Sequence, residues 1–161
     1  MNPNPNPTPP RVRQTRGWHF DGSPVVTHQG RKGCRWCKGP VKPPKRSFCS
    51  HACVHDWRLR TDPGYVRACV LRRDGGVCCV CGLHVERIRR IIGHAQQFGF
   101  NVEMLFIQAG IPTTWEADHI VPVAEGGGLC GLDNYRTLCR ACHVAETARL
   151  RRRLAKPQPG S

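Results

Sequence analysis

Apolar positions along this 161-residue chain fall into short periodic blocks rather than long runs. Between Tyr65 and Asp74 they stand at 65, 66, 69, 70 and 71, one face of a helix, and Gly75-Gly76 ends it. A second block, Val85, Ile88, Ile91, Ile92, Ala95 and Phe98, predicts a helix over 85–98 with Arg87, Arg89 and Arg90 opposite. Asn101 is placed to cap a short helix through Ala109, closed by Gly110 and Pro112. The period then changes. Trp115–His119 reads as a short strand, 121–134 as a glycine-rich loop and Tyr135–Leu138 as a second strand. From about Cys142 a helix is expected to run to Leu154, its outer face carrying Arg149, Arg151, Arg152 and Arg153. The N-terminal MNPNPNPTPP can form neither a helix nor a central strand, so residues 1–29 are expected to be a disordered, Pro- and Arg-containing arm. The fold class expected is α+β.

Aromatic residues make up 7% of the chain, so the core must be small, yet there are 11 cysteines. The N-terminus lacks the apolar run of a signal peptide, and no segment approaches membrane-spanning length. The expected compartment is therefore intracellular (cytoplasmic, or nuclear if eukaryotic), where closely paired cysteines read as metal ligands rather than disulfides. Cys34-x2-Cys37 and Cys49-x3-Cys53 form one set of four, separated by 11 residues. Cys78-x2-Cys81 and Cys139-x2-Cys142 form another, separated by 57, as in a treble clef whose zinc ties a knuckle to a helix start. Each structural zinc supplies on the order of 10 kcal/mol of folding energy. His51 and His55 lie near the first set, but four thiolates already fill a tetrahedral site. Cys79 falls between ligands, Cys69 lies on an apolar helical face, and Cys130 sits in the glycine loop. Thiolates alone do not separate zinc from iron.

The 25 Lys and Arg against 11 acids give a formal charge of +14. Two zinc ions on eight thiolates would leave about +10, still a strong positive field that favours a polyanionic partner. The excess is mostly arginine, whose planar fork suits phosphate. The expected organisation is the arm at 1–29, a four-cysteine zinc finger at 30–61, a second domain at 62–154 with a helical insert at 83–112, and a flexible tail at 155–161. The insert either shapes substrate choice or pads the core, and its apolar periodicity favours padding.

A zinc ion with four cysteine ligands is coordinatively closed and cannot activate water. Any catalysis must come from the remaining polar residues: Asp118, His119, Asn134 and His143. Asp118 and His119 end a strand, and neighbours on a strand face opposite ways. His143 follows the last zinc cysteine on the first turn of the helix. A carboxylate and an imidazole meeting across the hairpin make half a site for a second divalent ion. Each residue alone has a plainer reading: a satisfied core histidine, an Asp that caps a turn, an Asn that closes a glycine loop.

Taken together, DHIVPVAEGGG, LDNYRTLC and CHVAETARL resemble the motifs of the HNH (His-Asn-His) endonucleases, the ββα-metal nucleases, in their zinc-stabilised branch. FCSHAC and the GGGLCGLDN loop look most like the HNH module appended to zinc-finger, Ran-binding-domain annealing helicases. The resemblance implies a metal-dependent nuclease that nicks DNA, leaving a 5′-phosphate and a 3′-hydroxyl. His119 would be the general base, since an imidazole titrates near neutral pH. Asp118 and His143 would hold one Mg2+ or Mn2+, and Asn134 would hold the DH loop. The cofactors implied are two structural Zn2+ and this single catalytic ion. Arg136, Arg140, Arg149 and Arg152 are candidates for contact with DNA, duplex or branched, with little sequence preference. One site per chain nicks one strand; cutting both requires a homodimer, two encounters, or a larger phage or repair complex. The competing reading is a non-catalytic, zinc-dependent DNA-binding module, indifferent to Mg2+. A thiol redox role conflicts with the number and pairing of the cysteines.

Overall fold

The computed structural model describes Ser23, residues 27–28 and residues 30–155. The expected arm and tail lie largely outside them. The described residues divide into two compact units, those up to Tyr65 with Leu129–Gly131, and Val66–Gly128 with those from Leu132 onward. No described helix is long and apolar enough to cross a membrane.

In the first unit, β1 (Thr27–His28) pairs antiparallel with β2 (Arg31–Lys32). A knuckle follows, in which the Cys34 amide donates to the Gly39 carbonyl (2.8 Å) and the Lys38 amide to that of Cys34 (2.9 Å). Helix α1 (His51–Thr61) starts where the Ser50 hydroxyl accepts from the Cys53 amide at 3.1 Å, an ordinary N-cap. No helix was expected here, because Cys53, Trp57 and Leu59 do not trace a helical stripe along the sequence. Its small core is Cys34, Val41 and Cys53, packed against Trp36, Phe48 and Cys49. Two guanidinium–indole stacks, Arg35 on Trp57 (4.4 Å) and Arg60 on Trp36 (4.5 Å), extend that core with cation–π contacts.

Helix α2 (Pro63–Asp74) leads into the second unit, burying Val66, Cys69 and Val70. Gly75 and Gly76 end it with φ of 64° and 75°, backbone that side chains with a Cβ rarely adopt. The second knuckle follows. The Cys78 amide donates to Leu83 O (2.9 Å), and the Cys79 amide donates to Thr137 O (3.0 Å), fastening it to the later hairpin. Helix α3 (Val85–Gln97) buries Val85, Ile88 and Ile92. Ile91 and Phe98, expected on the same face, are exposed: the covered stripe is one residue wide per turn and ends before Phe98. Helix α4 (Glu103–Gln108) buries nothing. Its N-cap is Val102, not Asn101, because the first turn closes one residue later through Leu105 N to Val102 O. Core padding thus describes α3 but not the segment that follows it.

The rest is a ββα unit. Strands β3 (Trp115–His119) and β4 (Tyr135–Cys139) pair antiparallel, and helix α5 (Arg140–Leu154) packs on both. Strand β4 runs one residue further than expected, and α5 starts two residues earlier. The reason is Cys139, which ends the strand and stands as the helix N-cap, so the cysteine pair forms the corner itself. Leu138 and Thr137 of β4 are fully buried. The Asp74 carboxylate accepts from the Thr137 hydroxyl (2.9 Å) while pairing with Arg73.

Candidate functional site

Two four-cysteine clusters form, Cys34, Cys37, Cys49 and Cys53 in one unit and Cys78, Cys81, Cys139 and Cys142 in the other, every ligand atom within 4.8 Å of the rest of its set. Four sulfurs about 2.3 Å from one ion stand about 3.8 Å apart on a tetrahedron. The separations Cys37–Cys49 (3.5 Å), Cys49–Cys53 (3.4 Å) and Cys81–Cys139 (3.7 Å) come close to that edge. Burial works against ionising Cys78, yet backbone N–H groups of Cys139, Cys81 and Val80 draw its thiol down to about 6. Burial and the neighbouring sulfurs push Cys142 far up instead. Four crowded thiols cannot all ionise without a cation among them, which is the chemistry of a zinc cluster. His51 and His55 stand outside the first cluster; His55 Nδ1 instead meets the Tyr65 hydroxyl at 2.8 Å.

The β3–β4 register decides what else meets. It sets Asp118 opposite Arg136 and His119 opposite Tyr135, so the two pairs point to opposite faces of the hairpin. On the first face, Arg136 Nε and Nη2 donate to Asp118 Oδ2 at 3.2 and 3.1 Å. The other oxygen, Oδ1, faces His143 Nε2 of α5 at 3.8 Å. Two ligands each about 2.1 Å from a single ion can be no more than about 4.2 Å apart, so this separation suits a shared divalent cation. On the other face, the His119 ring lies against Tyr135 with centroids 4.5 Å apart. His119 Nε2 and His143 Nδ1 are both buried without a protein partner. Buried ring nitrogens of this kind are costly unless something else engages the imidazole.

Asn134 closes the loop beyond His119. Its Oδ1 accepts from the Val121 amide (2.8 Å), and its Nδ2 donates to Val121 O (3.1 Å) and Gly127 O (2.9 Å). Its own carbonyl accepts from Ile120 N at 2.8 Å. The glycine run now has a reason. A Cβ on Gly127 would overlap the Val121 carbonyl oxygen and come within 2.8 Å of Asn134 Nδ2. Only a bare α-carbon lets Asn134 grip both sides of the loop.

A cleft of about 410 Å3 opens here, lined by Asp118, His119, Arg136, Glu146 and Arg153 among others. Glu146 and Tyr135 were missed in the sequence, although Glu146 lies one turn beyond His143 and Tyr135 directly opposite His119 in a hairpin. Against the burial that raises it, hydrogen bonds from Arg149 and Arg136 hold the Glu146 carboxyl below its ordinary value. Arg136 faces inward and is spent on two carboxylates, Asp118 and, at 3.3 Å, Glu146. Arg140, Arg149 and Arg152 are exposed on α5, with Arg149 paired to Glu146.

Residues 105–149 match the sequence profile of the HNH endonucleases. The mouse protein named DNA annealing helicase and endonuclease ZRANB3 is 31% identical over 148 residues, which cover 77% of this chain and 14% of that protein. Its human counterpart is 29% identical over 149 residues. Residues 105–149 of the chain belong to the HNH endonuclease family. A solved human ZRANB3 HNH domain is 30% identical, covering 56% of this chain and 90% of that domain, with a TM-score of 0.37. The kinship is carried by the sequence: the HNH profile ends six residues past His143 and spans Asp118, His119 and Asn134. This HNH chain spans only 14% of the length of the curated relatives it matches.

Proposed function

We propose that the second unit hydrolyses DNA phosphodiester bonds one strand at a time, leaving a 5′-phosphate and a 3′-hydroxyl. The observation that carries this reading is the approach of Asp118 Oδ1 to His143 Nε2 at 3.8 Å, with Asp118 also lining the cleft that His119 lines. Mg2+ or Mn2+ bound by Asp118 and His143 would neutralise charge on the scissile phosphate and on the departing 3′ oxygen. His119 takes the proton of the attacking water, and its seat on Tyr135 limits the ring to few orientations. Asn134 fixes the backbone just after His119, so the imidazole stays aimed while substrate binds. The two cysteine clusters hold structural Zn2+ and take no part in the reaction. Exposed Arg140, Arg149 and Arg152 contribute phosphate contacts along α5, without reading sequence.

Supercoiled plasmid incubated with the zinc-loaded chain and Mg2+ or Mn2+ should convert to the nicked circle, and EDTA should stop it. His119→Ala should lose at least about a hundredfold in rate, the lower end of general-base catalysis, while still binding DNA. Nicking by His119→Ala at the parental rate would rule out this imidazole as the base.

A further inference from the structure

Arg136 and Arg153 both line the cleft, and among the described residues Arg136 is the arginine that hydrogen-bonds a proposed metal ligand, Asp118. Its two bonds occupy Asp118 Oδ2 and leave Oδ1 to face His143. A third bond ties the same guanidinium to Glu146, and the three side chains are each about a quarter exposed. The cluster therefore carries a built-in positive charge where a dication is expected. Two carboxylates that would together attract a dication are already half neutralised.

On the reading above that Asp118 and His143 share a divalent ion, we propose that Arg136 is a positioning residue that makes this ion depend on substrate. It holds Asp118 to one-oxygen ligation and acts as a resident counter-cation. Metal then binds weakly to the free protein and firmly only when a phosphodiester brings its negative charge into the cleft. A unit positive charge about 6 Å from a dication weakens its binding about tenfold even under water-like screening. Local charge, with His119 idle until phosphate and cation are both present, would guard against stray hydrolysis.

Calorimetric titration of Mn2+ into the zinc-loaded full chain, without DNA, tests this. Arg136→Gln should bind Mn2+ about tenfold more tightly than the parent. Arg136→Lys keeps the charge but loses the fork, so its Mn2+ affinity should stay near parental while nicking slows. Glu146→Gln leaves the guanidinium less compensated and should weaken Mn2+ about tenfold, which gives a result of opposite sign if Arg136→Gln fails to fold. Binding of a DNA duplex by the zinc-loaded chain without added Mn2+ or Mg2+ should change less than about threefold in all three. Unchanged or weaker Mn2+ binding by Arg136→Gln overturns the proposal, as does a large loss of this metal-free DNA affinity, the signature of a phosphate contact. Asp118→Asn separates the two levels. If it binds Mn2+ like the parent, the metal site itself is misplaced; if it loses Mn2+ while Arg136→Gln is unaltered, only the role of Arg136 fails.

Discussion

Replacing Gly127 with alanine should damage the proposed nicking activity out of proportion to its effect on stability. The added Cβ would lie 1.7 Å from the Val121 carbonyl oxygen, 2.6 Å from its carbon and 2.8 Å from Asn134 Nδ2. A carbon and an oxygen not bonded to each other rest at about 3.3 Å, so one side of the loop must retreat by about 1.5 Å. Retreat costs the bond from Asn134 Nδ2 to Gly127 O (2.9 Å) and strains that from Gly127 N to Pro122 O (3.0 Å). At about 1 kcal/mol net per hydrogen bond, the local loss is about 2 kcal/mol. That energy is not spent on global unfolding, because the core of Leu138, Val70 and Val85 is untouched. It appears instead as a loop that opens next to His119, and a displacement of 1 Å at a catalytic group costs on the order of 100-fold in rate. The assay is plasmid nicking beside zinc content and thermal melting of the same preparations. Gly127→Ala should keep two zinc ions and melt within a few degrees of the parent, yet nick far more slowly. Parental nicking by a correctly folded Gly127→Ala would refute the claim that Asn134 and this close approach position the base.

Two further outcomes follow from the same geometry. Asp74→Asn should destabilise the second unit by about 1–3 kcal/mol at neutral pH, because the Asp74 carboxylate is hydrogen-bonded to Arg73 and to the buried Thr137 hydroxyl. Hydrogen bonds from Arg73, acting against burial, hold the Asp74 carboxyl below its ordinary value. Its contribution is thus complete above the unfolded carboxylate range and is lost as pH falls through its lowered folded value, so the parent and Asp74→Asn should begin to converge in chemical denaturation below about pH 4 and meet only at lower pH. Convergence at neutral pH instead would mean that the contact is idle. DNA affinity should fall linearly with log salt, and Arg152→Ala should reduce that slope by about one without altering sequence preference; an unchanged slope would remove Arg152 from the interface.

Much of this was legible because two periodicities survive in the sequence. The alternation at Trp115–His119 and the cysteine spacing at 139–142 together placed His143 on the first turn of α5, across from Asp118. Helix α1 was hidden because its buried residues, Cys53, Trp57 and Leu59, include a member of a four-cysteine cluster and follow no single stripe. The exposed apolar residues of α4, Met104, Leu105 and Ile107, read in sequence like core residues because apolar spacing reports a helix and not what covers it. Arg136 was read as a phosphate contact from its nearness along the chain. Its opposition to Asp118 emerges only from the register of the hairpin, and a register is a pairing between strands that one strand's pattern cannot fix.

The two cysteine clusters should not be equivalent for function, although their ligand chemistry is the same. Cys142 is followed directly by His143, and Cys139 is the last residue of the strand that carries Arg136 and Leu138. The second cluster is therefore the corner on which Asp118 and His143 are brought to 3.8 Å. A structural zinc contributes on the order of 10 kcal/mol, comparable with the whole stability of a typical domain. Losing it should let α5 swing free and separate the two proposed metal ligands. Cys142→Ser should thus lower zinc to about one per chain and abolish both Mn2+ binding and nicking. Cys37→Ser should lower zinc by the same amount, but its ligands lie in the other unit, so Mn2+ binding by Asp118 and His143 should persist. Measuring zinc by atomic absorption and Mn2+ by titration on both variants decides it. Parental Mn2+ affinity in Cys142→Ser would show that the hairpin and helix hold their geometry without the staple, and the chain of support from thiolate to imidazole argued from this fold would be broken.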